Sequence, residues 1–247
     1  MNVLFVGDVH NHLYIFDDVQ RLDKEYNFDR IIFLGDYVDD WNTNNHDSLK
    51  TLKKVFDLKE SNPDKYTFCL GNHEMSYLGF PCSGHQYELD ELVRLELIQN
   101  IDKIDLYTEV EIEDKTYICS HAGFTNAYIC GVLDVYGEYK GVLEQFQENK
   151  LNSLQYLRYC SRNRGGYDPY SSFVWADRLE LIDSGYVEKM LMPNQIVGHS
   201  PVKSIYKSPN DYGMLYFIDT HSTYRDGFEY GDKSYLAFID NKEKILY

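Results

Sequence analysis

Short runs of apolar residues alternate with helical patterns along the first third of the chain. Continuous apolar runs are typical of strands buried on both faces, and they occur at Val3–Val6, 30–34 and 66–70. Between them, apolar positions recur at helical spacing in 14–26 and in 49–60, where Ser48 is placed to cap the helix. Strands that alternate with helices in this order predict parallel pairing with right-handed crossovers.

The second half of the chain is less regular and ends rich in strands. A charged helix is predicted over 88–98, and a hairpin pairs 106–112 with 116–120 across residues 113–115. The stretch 124–192 has a helical pattern only around 143–157, so we interpret it as a variable, partly helical insertion. After Pro193, four strands are predicted, at 195–198, 204–207, 214–219 and 234–240. The pattern indicates one α/β domain over 1–247, with two sheets.

Composition and charge exclude some classes of partner. The chain has 247 residues, enough for one substantial core, and its net charge is −16, from 40 acidic and 24 basic residues. Such a surface repels polyphosphate backbones, so we expect no stable nucleic-acid binding. No apolar run approaches the roughly 20 residues of a membrane span, and the apolar run at the amino terminus is too short for a signal peptide. We therefore expect no membrane contact.

The five cysteines are odd in number and include no C-x-x-C pair. This argues against a disulfide framework and against a structural zinc site. Cys69 and Cys119 lie in apolar, strand-like runs, where buried free thiols are expected. A reducing, cytoplasmic location is the corresponding prediction.

Polar residues follow the apolar strands at their carboxyl ends. The tetrapeptides and pentapeptide at these positions are Gly-Asp-Val-His at 7–10, Gly-Asp-Tyr-Val-Asp at 35–39, Gly-Asn-His-Glu at 71–74, Ser-His-Ala-Gly at 120–123 and Gly-His-Ser-Pro at 198–201. In an open α/β sheet, ligands bind at this edge. Asp, His and Asn side chains suit borderline or hard divalent cations. Taken singly, Asp8 or Asp36 would be a cap more often than a ligand, but the joint pattern favours metal binding.

These five motifs, in this order and spacing, resemble those of the calcineurin-like metallophosphoesterases. The resemblance is greatest to the branch that holds serine/threonine phosphatases, phage-type protein phosphatases and symmetrical diadenosine tetraphosphatases. It spans residues 3–201, with 124–192 nearly unmatched. It implies a four-layer α/β/β/α sandwich, in which two mixed sheets are flanked by helices. It also implies two divalent metal ions, with manganese expected first and iron, zinc or magnesium as alternatives.

Carried over by position, the resemblance implies a role for each motif residue. Asp8 and His10 would bind the first metal, and Asp36 would bridge both ions. The second metal would be bound by Asn72, His121 and His199. His73 would protonate the leaving alkoxide, and Asp39 would orient this histidine and raise its pKa. The resemblance assigns no role to His221, which we interpret as a loop histidine, or to three histidines expected at the surface, His12, His46 and His85.

Two departures from the branch concern substrate binding. Protein phosphatases of this branch usually carry Arg where Asp40 stands, and Arg again where Leu70 stands. Two guanidinium groups that would hold phosphate oxygens are therefore missing. Residues 174–178 are similar to a tryptophan-containing stretch of the branch, and this makes Arg178 a candidate phosphate contact. Arg162 and Arg164, in the insertion, are weaker candidates.

The resemblance implies hydrolysis of phosphomonoesters, either phosphorylated proteins or small phosphates, by a hydroxide that bridges the two metals. Symmetrical hydrolysis of dinucleoside tetraphosphates is the first alternative, with a nucleotide as leaving group. A nuclease is disfavoured by the acidic charge and by Ser200-Pro201, which replaces a G-H-x-H arrangement. A non-catalytic, metal-binding scaffold is the remaining alternative. Such a scaffold is expected to lose the acid histidine or several ligands, and this chain retains them.

Overall fold

The apolar runs form the strands of two five-stranded sheets. The computed structural model describes residues 1–80, 90–136, 139–187, 192, 194–210 and 213–247. Two short 3-10 turns lie at Ile101–Lys103 and Arg162–Arg164. The other elements, in chain order, are β1 (Val3–Val6), α1 (Tyr14–Tyr26), β2 (Arg30–Phe33), α2 (Asn45–Ser61), β3 (Tyr66–Phe68), α3 (Asn72–Tyr77), α4 (Glu91–Gln99), β4 (Thr108–Ile112), β5 (Lys115–Ser120), α5 (Asn126–Tyr136), α6 (Tyr139–Glu148), α7 (Lys150–Leu157), α8 (Arg178–Val187), β6 (Gln195–Val197), β7 (Tyr206–Asn210), β8 (Gly213–Phe217), β9 (Tyr235–Ile239) and β10 (Lys242–Leu246).

Both sheets are mixed, with parallel strands at their centres. The first has the order β10-β9-β1-β2-β3, in which β1, β2 and β3 are parallel and β9 pairs antiparallel with both β1 and β10. The second has the order β4-β5-β6-β8-β7, in which β5, β6 and β8 are parallel. The parallel pairing predicted for the first three strands is therefore confirmed.

Alternation along β1 shows how the layers are arranged. Val3 and Phe5 lie in a buried cluster with residues of the second sheet, such as Ile196. Leu4 and Val6 point to the opposite face, where they join a cluster with side chains of α1 and α2. On the far face of the second sheet, Leu181 of α8 lies in a cluster with Val197 and Phe217. Helix, sheet, sheet and helix thus follow one another, which confirms the four-layer fold.

Helix α2 begins earlier than predicted, and Ser48 is not its cap. Asn44 precedes the helix, and its side chain accepts hydrogen bonds from the backbone N–H groups of His46 and Asp47. The Asp47 carboxylate in turn accepts from the N–H of Asn44, which completes a capping box. Ser48 lies in the first turn, fully buried, with Oγ 3.4 Å from the N–H of Asp39. Two polar Asn residues ahead of the apolar face concealed this start.

Other boundaries differ for local reasons. The charged helix spans Glu91–Gln99 and is capped by Asp90, and residues 88 and 89 of the prediction lie outside the described residues. The pattern around 143–157 forms two helices, α6 and α7, with Asn149 between them. Strand β10 was missed because four of its five residues are at least partly exposed, and its only pairing among the described strands is with β9.

The structure also bears on the predictions about free cysteines and about membrane-spanning segments. Cys69 and Cys119 are free thiols and fully buried, as predicted, and Cys82 lies outside the described residues. No helix among the described residues is both long enough and apolar enough to cross a lipid bilayer.

Candidate metal centre

The carboxyl ends of the central parallel strands of both sheets meet at one edge of the sandwich. Hydrogen bonds that cross between the sheets join these ends. The N–H of His199, after β6, donates to Asp8 Oδ1, after β1, at 2.8 Å. The ring Nδ1 of His121, after β5, lies 2.8 Å from the carbonyl oxygen of Leu34, after β2. Residues from distant parts of the chain therefore share one buried site.

One group of candidate ligands comprises Asp36, His121 and His199, whose ligand atoms lie within 4.8 Å of one another. His121 Nε2 is at the centre of this group. It lies 2.8 Å from Asn72 Oδ1, 3.1 Å from His199 Nδ1 and 3.3 Å from Asp36 Oδ2. All four residues are buried. The residues that the resemblance implies for the second metal thus converge around the shared carboxylate.

A second group comprises His10, Asp36 and His73, again with ligand atoms within 4.8 Å. His10 Nε2 lies 3.7 Å from Asp8 Oδ2 and 3.8 Å from Asp36 Oδ2. His73 Nε2 is 3.9 Å from the same Asp36 oxygen. Asp36 belongs to both groups, and this is the arrangement that a carboxylate shared by two ions requires.

The hydrogen bonds of the imidazoles match a cation in each group. His10 Nδ1 lies 2.7 Å from the carbonyl oxygen of Asp39, and His121 Nδ1 contacts that of Leu34. A carbonyl accepts only, so each Nδ1 carries a proton and directs the Nε2 lone pair into the cluster. Buried His199 Nε2 has no hydrogen-bond partner among the described residues. These donor atoms fit divalent cations of the manganese, iron, zinc or magnesium type.

The electrostatics of the cluster favour positive charge. Burial lowers the pKa of His121, but the charges of Asp36 and Asp8 outweigh it and raise the pKa to about 9. His10 behaves in the same way, since bonding to Asp8 and the charge of Asp36 overcome burial and raise its pKa well above the usual range. Burial opposes ionisation of Asp36, yet the charges of His121 and His73 hold its pKa well below the usual range. A cation at the centre satisfies the same carboxylates that here attract protons.

Four residues of the site adopt left-handed backbone conformations. The φ angles are 45° at His10, 51° at Asp36, 62° at Asp39 and 62° at His199. Residues with a Cβ rarely adopt such angles, and each costs about 1–3 kcal/mol unless its surroundings impose it. This strain is concentrated at the strand ends, where it turns side chains into the cluster.

His73 and Asp39 lie together at the side of the first group. His73 Nδ1 is 3.2 Å from Asp39 Oδ2, and the N–H of His73 donates to Asp36 Oδ1 at 2.9 Å. The other Asp39 oxygen accepts from the hydroxyl of Tyr77 at 2.7 Å. The carboxylate is thus held on both oxygens, and it orients the imidazole so that Nε2 points towards the cluster.

Glu74 is a structural centre of the site to which sequence reasoning gave no role, although the residue is part of the Gly-Asn-His-Glu motif. Its carboxylate is fully buried and accepts four backbone hydrogen bonds. The donors are the N–H groups of Asp36, Tyr37, Val38 and Gly71, at 2.8–3.2 Å. Burial and the charge of Asp36 raise the pKa of Glu74 to about 7. Glu74 therefore holds the loop after β2 against the start of α3.

We expect Glu74→Gln to destabilise the protein by about 1–3 kcal/mol, because the amide NH₂ then faces N–H donors that lose their acceptor. Urea unfolding of the wild type and the variant measures this difference. Glu111→Gln, at an exposed position of β4, is the matched control and should change stability by less than about 0.5 kcal/mol. Equal effects of the two substitutions would contradict the role of Glu74.

Asp219 and His221 follow β8 and are also buried at this edge. Burial and the charge of Asp8 raise the pKa of Asp219 to about 7. His221 lies in a loop, as predicted, and it is buried there, since it is 2% exposed and its Nδ1 lies 3.3 Å from the hydroxyl of Tyr14. The signal used for the other candidates, a polar group after an apolar strand, applies to Asp219 as well; the same signal drew attention to His221, but the resemblance gave it no role.

Asp40 stands where the branch usually carries Arg, and it is tied into the loops of the site. Its carboxylate accepts from Thr223 Oγ1 at 2.7 Å and lies 3.1 Å from His12 Nε2. His12 is therefore partly buried and paired rather than a surface residue, unlike the exposed His46. His85 lies outside the described residues. Leu70, at the other departure, is a fully buried core residue.

The structure does not bring Arg178 into contact with the described ligand residues. Its guanidinium lies over the ring of Tyr206, 5.3 Å from the ring centre. Arg164 instead approaches the cluster, with Nη2 3.5 Å from the carbonyl oxygen of His199. Arg162, two residues earlier, is exposed.

Burial, followed by the charges of Arg164 and His121, lowers the pKa of His199 well below its usual range, so this imidazole is neutral and able to coordinate.

Comparisons with known proteins show what the chain is similar to in fold and in sequence. Among solved structures, the cold-active protein-tyrosine phosphatase of a psychrophilic Shewanella species has a TM-score of 0.55 at 15% identity, over 100% of this chain and 80% of that chain. An archaeal phosphodiesterase (TM-score 0.44, 16% identity, 100% and 99% covered) and a metallophosphoesterase from Sphaerobacter thermophilus (0.45, 13%, 99% and 86%) are also similar. At these identities, the likeness to the Shewanella enzyme is one of fold.

Sequence comparisons give one decisive result. A search of curated protein sequences finds no significant match. The sequence profile of the calcineurin-like phosphoesterases, in contrast, matches residues 1–222, which is most of the chain. Members of this family hydrolyse phosphoesters with a dinuclear metal centre, and the two groups that share Asp36 are candidate ligands for such a centre. The chain belongs to the calcineurin-like phosphoesterase family.

Proposed function

We propose that this protein is a phosphatase that hydrolyses phosphomonoesters with two divalent metal ions. The observation that supports the proposal is the placement of His73, which is held by Asp39 beside the carboxylate shared by both ligand groups. An alkoxide is a poor leaving group, so its departure benefits from a proton delivered in the transition state. The nucleotide released from a polyphosphate is already a stable anion, and its departure depends less on such an acid.

The residues that would hold the metals are those that the structure brings together. Asp8 and His10 would bind one ion, Asp36 both ions, and the other ion would be held by Asn72, His121 and His199. When bound, the ions supply a nucleophile at neutral pH and neutralise charge on the phosphate. Manganese is the ion we expect to be most effective, because imidazole, carboxylate and amide ligands without a thiolate suit it.

The remaining chemistry belongs to side chains of this chain. Asp39 accepts from Nδ1–H of His73, so the protonated ring presents Nε2–H towards the cluster. This proton would go to the oxygen of the leaving group as the P–O bond breaks. Asp39 would also stabilise the charged imidazole, and Tyr77, which donates to its second oxygen, keeps the carboxylate in place.

Two other functions remain to be distinguished by experiment. Hydrolysis of dinucleoside tetraphosphates would use the same metals and differ in the leaving group. A metal-binding scaffold without activity would need neither His73 nor its hydrogen bond to Asp39, and the presence of both argues against it. Substrates consistent with the proposal are phosphorylated proteins and small phosphates. The buried free thiols Cys69 and Cys119 support a reducing compartment such as the cytoplasm.

A metal-dependent substrate comparison tests the proposal. The protein is freed of metal with a chelator, then assayed with and without Mn²⁺ on a phosphoserine peptide, a phosphotyrosine peptide, bis-p-nitrophenyl phosphate and diadenosine tetraphosphate. We expect turnover only after Mn²⁺ is restored, with the highest kcat/KM on a phosphopeptide. A higher kcat/KM on diadenosine tetraphosphate would instead support the polyphosphate hydrolase. Two bound Mn²⁺ ions without any turnover would support the scaffold.

A further inference from the structure

The loop that carries His199 is held in a strained conformation from two sides. The φ angle of His199 is 62°, a region that a residue with a Cβ adopts only when its surroundings impose it. From the side of the sheets, the N–H of Gly198 donates to the carbonyl oxygen of His121 at 2.8 Å. The N–H of His199 donates to Asp8 Oδ1, also at 2.8 Å. These bonds fix the amino-terminal half of the loop.

The other half of the loop is held by residues 124–192, the segment interpreted from sequence as a variable insertion. Arg164 Nη2 donates to Ser200 Oγ and lies 3.5 Å from the carbonyl oxygen of His199. Arg164 Nε is 3.0 Å from Asp177 Oδ2, which anchors the guanidinium. The ring of Trp175 meets the His199 ring edge-on, with centroids 5.9 Å apart. One arginine therefore links the insertion to the backbone carbonyl of His199 and to the side-chain hydroxyl of Ser200.

We propose that Arg164 is a positioning residue, which fixes the His199 ring for the second metal ion and so makes the insertion part of the metal centre. The proposal rests on the function proposed above, because it takes His199 as a ligand. Groups that bond to a metal ligand fix the orientation of its ring or carboxylate, and their removal typically costs about 10–100-fold in metal affinity. Arg164 does not need to contact substrate to have this effect.

The guanidinium is suited to this task in a way that an ammonium is not. Its planar fork holds several N–H groups in fixed directions, so Nη2 donates to the His199–Ser200 segment while Nε stays in ion-pair contact with Asp177. A lysine at this position has the charge without the fork. Arg164→Lys should therefore retain part of the effect, and Arg164→Ala should lose it.

Metal affinities measured by equilibrium dialysis with Mn²⁺ test the proposal without reference to turnover. In Arg164→Ala, we expect the dissociation constant of one of the two ions to rise by about 10–100-fold, while that of the other stays within about twofold. Arg164→Lys should show a smaller rise at the same ion. Arg158→Ala, which removes an exposed arginine of the same insertion, is the control and should leave both constants unchanged.

A double variant separates positioning from a general loss of structure. His199→Ala should weaken the same single ion, and adding Arg164→Ala to it should cause no further loss, because Arg164 acts through His199. Additive losses, or equal weakening of both ions in Arg164→Ala, would overturn the proposal. Circular dichroism establishes whether each variant is folded. If Arg164→Ala does not fold, Asp177→Asn provides the same test, because it removes the ion pair that holds the guanidinium.

Failure of this inference and failure of the proposed function give different results. A wild-type protein that binds fewer than two Mn²⁺ ions would refute the dinuclear centre itself. A wild-type protein that binds two ions, with constants that Arg164→Ala leaves unchanged, would refute only the role of Arg164.

Discussion

Replacement of His73 by alanine is expected to slow turnover of a phosphoserine peptide by about 10²–10⁴-fold, the usual contribution of a general acid. The expectation follows from the position of the ring, whose Nδ1 lies 3.2 Å from Asp39 and whose Nε2 lies 3.9 Å from the shared carboxylate of Asp36. Alanine removes the proton donor and leaves the six expected metal ligands in place. The variant should therefore still bind two Mn²⁺ ions.

The leaving group provides the sharper part of this test. p-Nitrophenolate leaves without much help from a proton, so His73→Ala should slow p-nitrophenyl phosphate hydrolysis much less than phosphoserine hydrolysis. His46→Ala, which removes an exposed histidine of α2, is the control and should match the wild type. Equal losses on both substrates would argue against proton donation. Loss of one metal ion from His73→Ala would instead make His73 a ligand, a role compatible with its place in the group of His10 and Asp36.

Asp36→Asn is expected to weaken the binding of both metal ions together. Asp36 Oδ2 lies 3.3 Å from His121 Nε2 in one ligand group and 3.8 Å from His10 Nε2 in the other. The amide has the shape of the carboxylate without its charge, so each ion loses the same anionic ligand. Removal of a group that merely orients a ligand costs about 10–100-fold in metal affinity, and we expect each constant to change by more than this.

Metal content and affinity, measured on the same preparation, check this expectation. Asp57→Asn, at an exposed position of α2, removes one negative charge far from the ligand groups in sequence and serves as the control. It should leave both constants unchanged. A loss of affinity confined to one ion in Asp36→Asn would show that the carboxylate belongs to one metal only, and would contradict a bridging role.

The candidate ligands could be found in the sequence because each lies directly after an apolar strand. Parallel strands place their carboxyl ends at a common edge, so residues such as Asp8 and His199 meet although 191 positions separate them. The same rule applies to Asp219, which was passed over because the resemblance gave its segment no role. The geometry that brings these residues together follows from topology and needs no knowledge of side-chain contacts.

Other features could not be predicted, because they depend on which surfaces meet. Glu74 accepts bonds from a loop whose nearest donor in sequence, Val38, lies 36 positions earlier, and no local pattern reports this. The resemblance favoured Arg178 as the phosphate contact and made Arg164 a weaker candidate. Packing of the insertion directs Arg164 to the carbonyl oxygen of His199 and Arg178 to the ring of Tyr206. Local sequence does not specify how the insertion packs, so it could not show that Arg164 is the arginine nearer to the cluster.

Local patterns of neighbouring residues were sufficient to predict the described strands except β10, the parallel pairing of β1, β2 and β3, and the polar residues at the strand ends. The periodicity of apolar residues and the polar residues at strand ends can be recognised from a few consecutive positions, whatever the tertiary packing. Three features arise instead between segments that are far apart in the chain. They are the contacts of ring nitrogens with carbonyl oxygens, the left-handed backbone at His199 and the hydrogen bond from Arg164 to Ser200. Such contacts are settled by how the two sheets and the insertion fit together, since their energies depend on distances that no single stretch of sequence specifies.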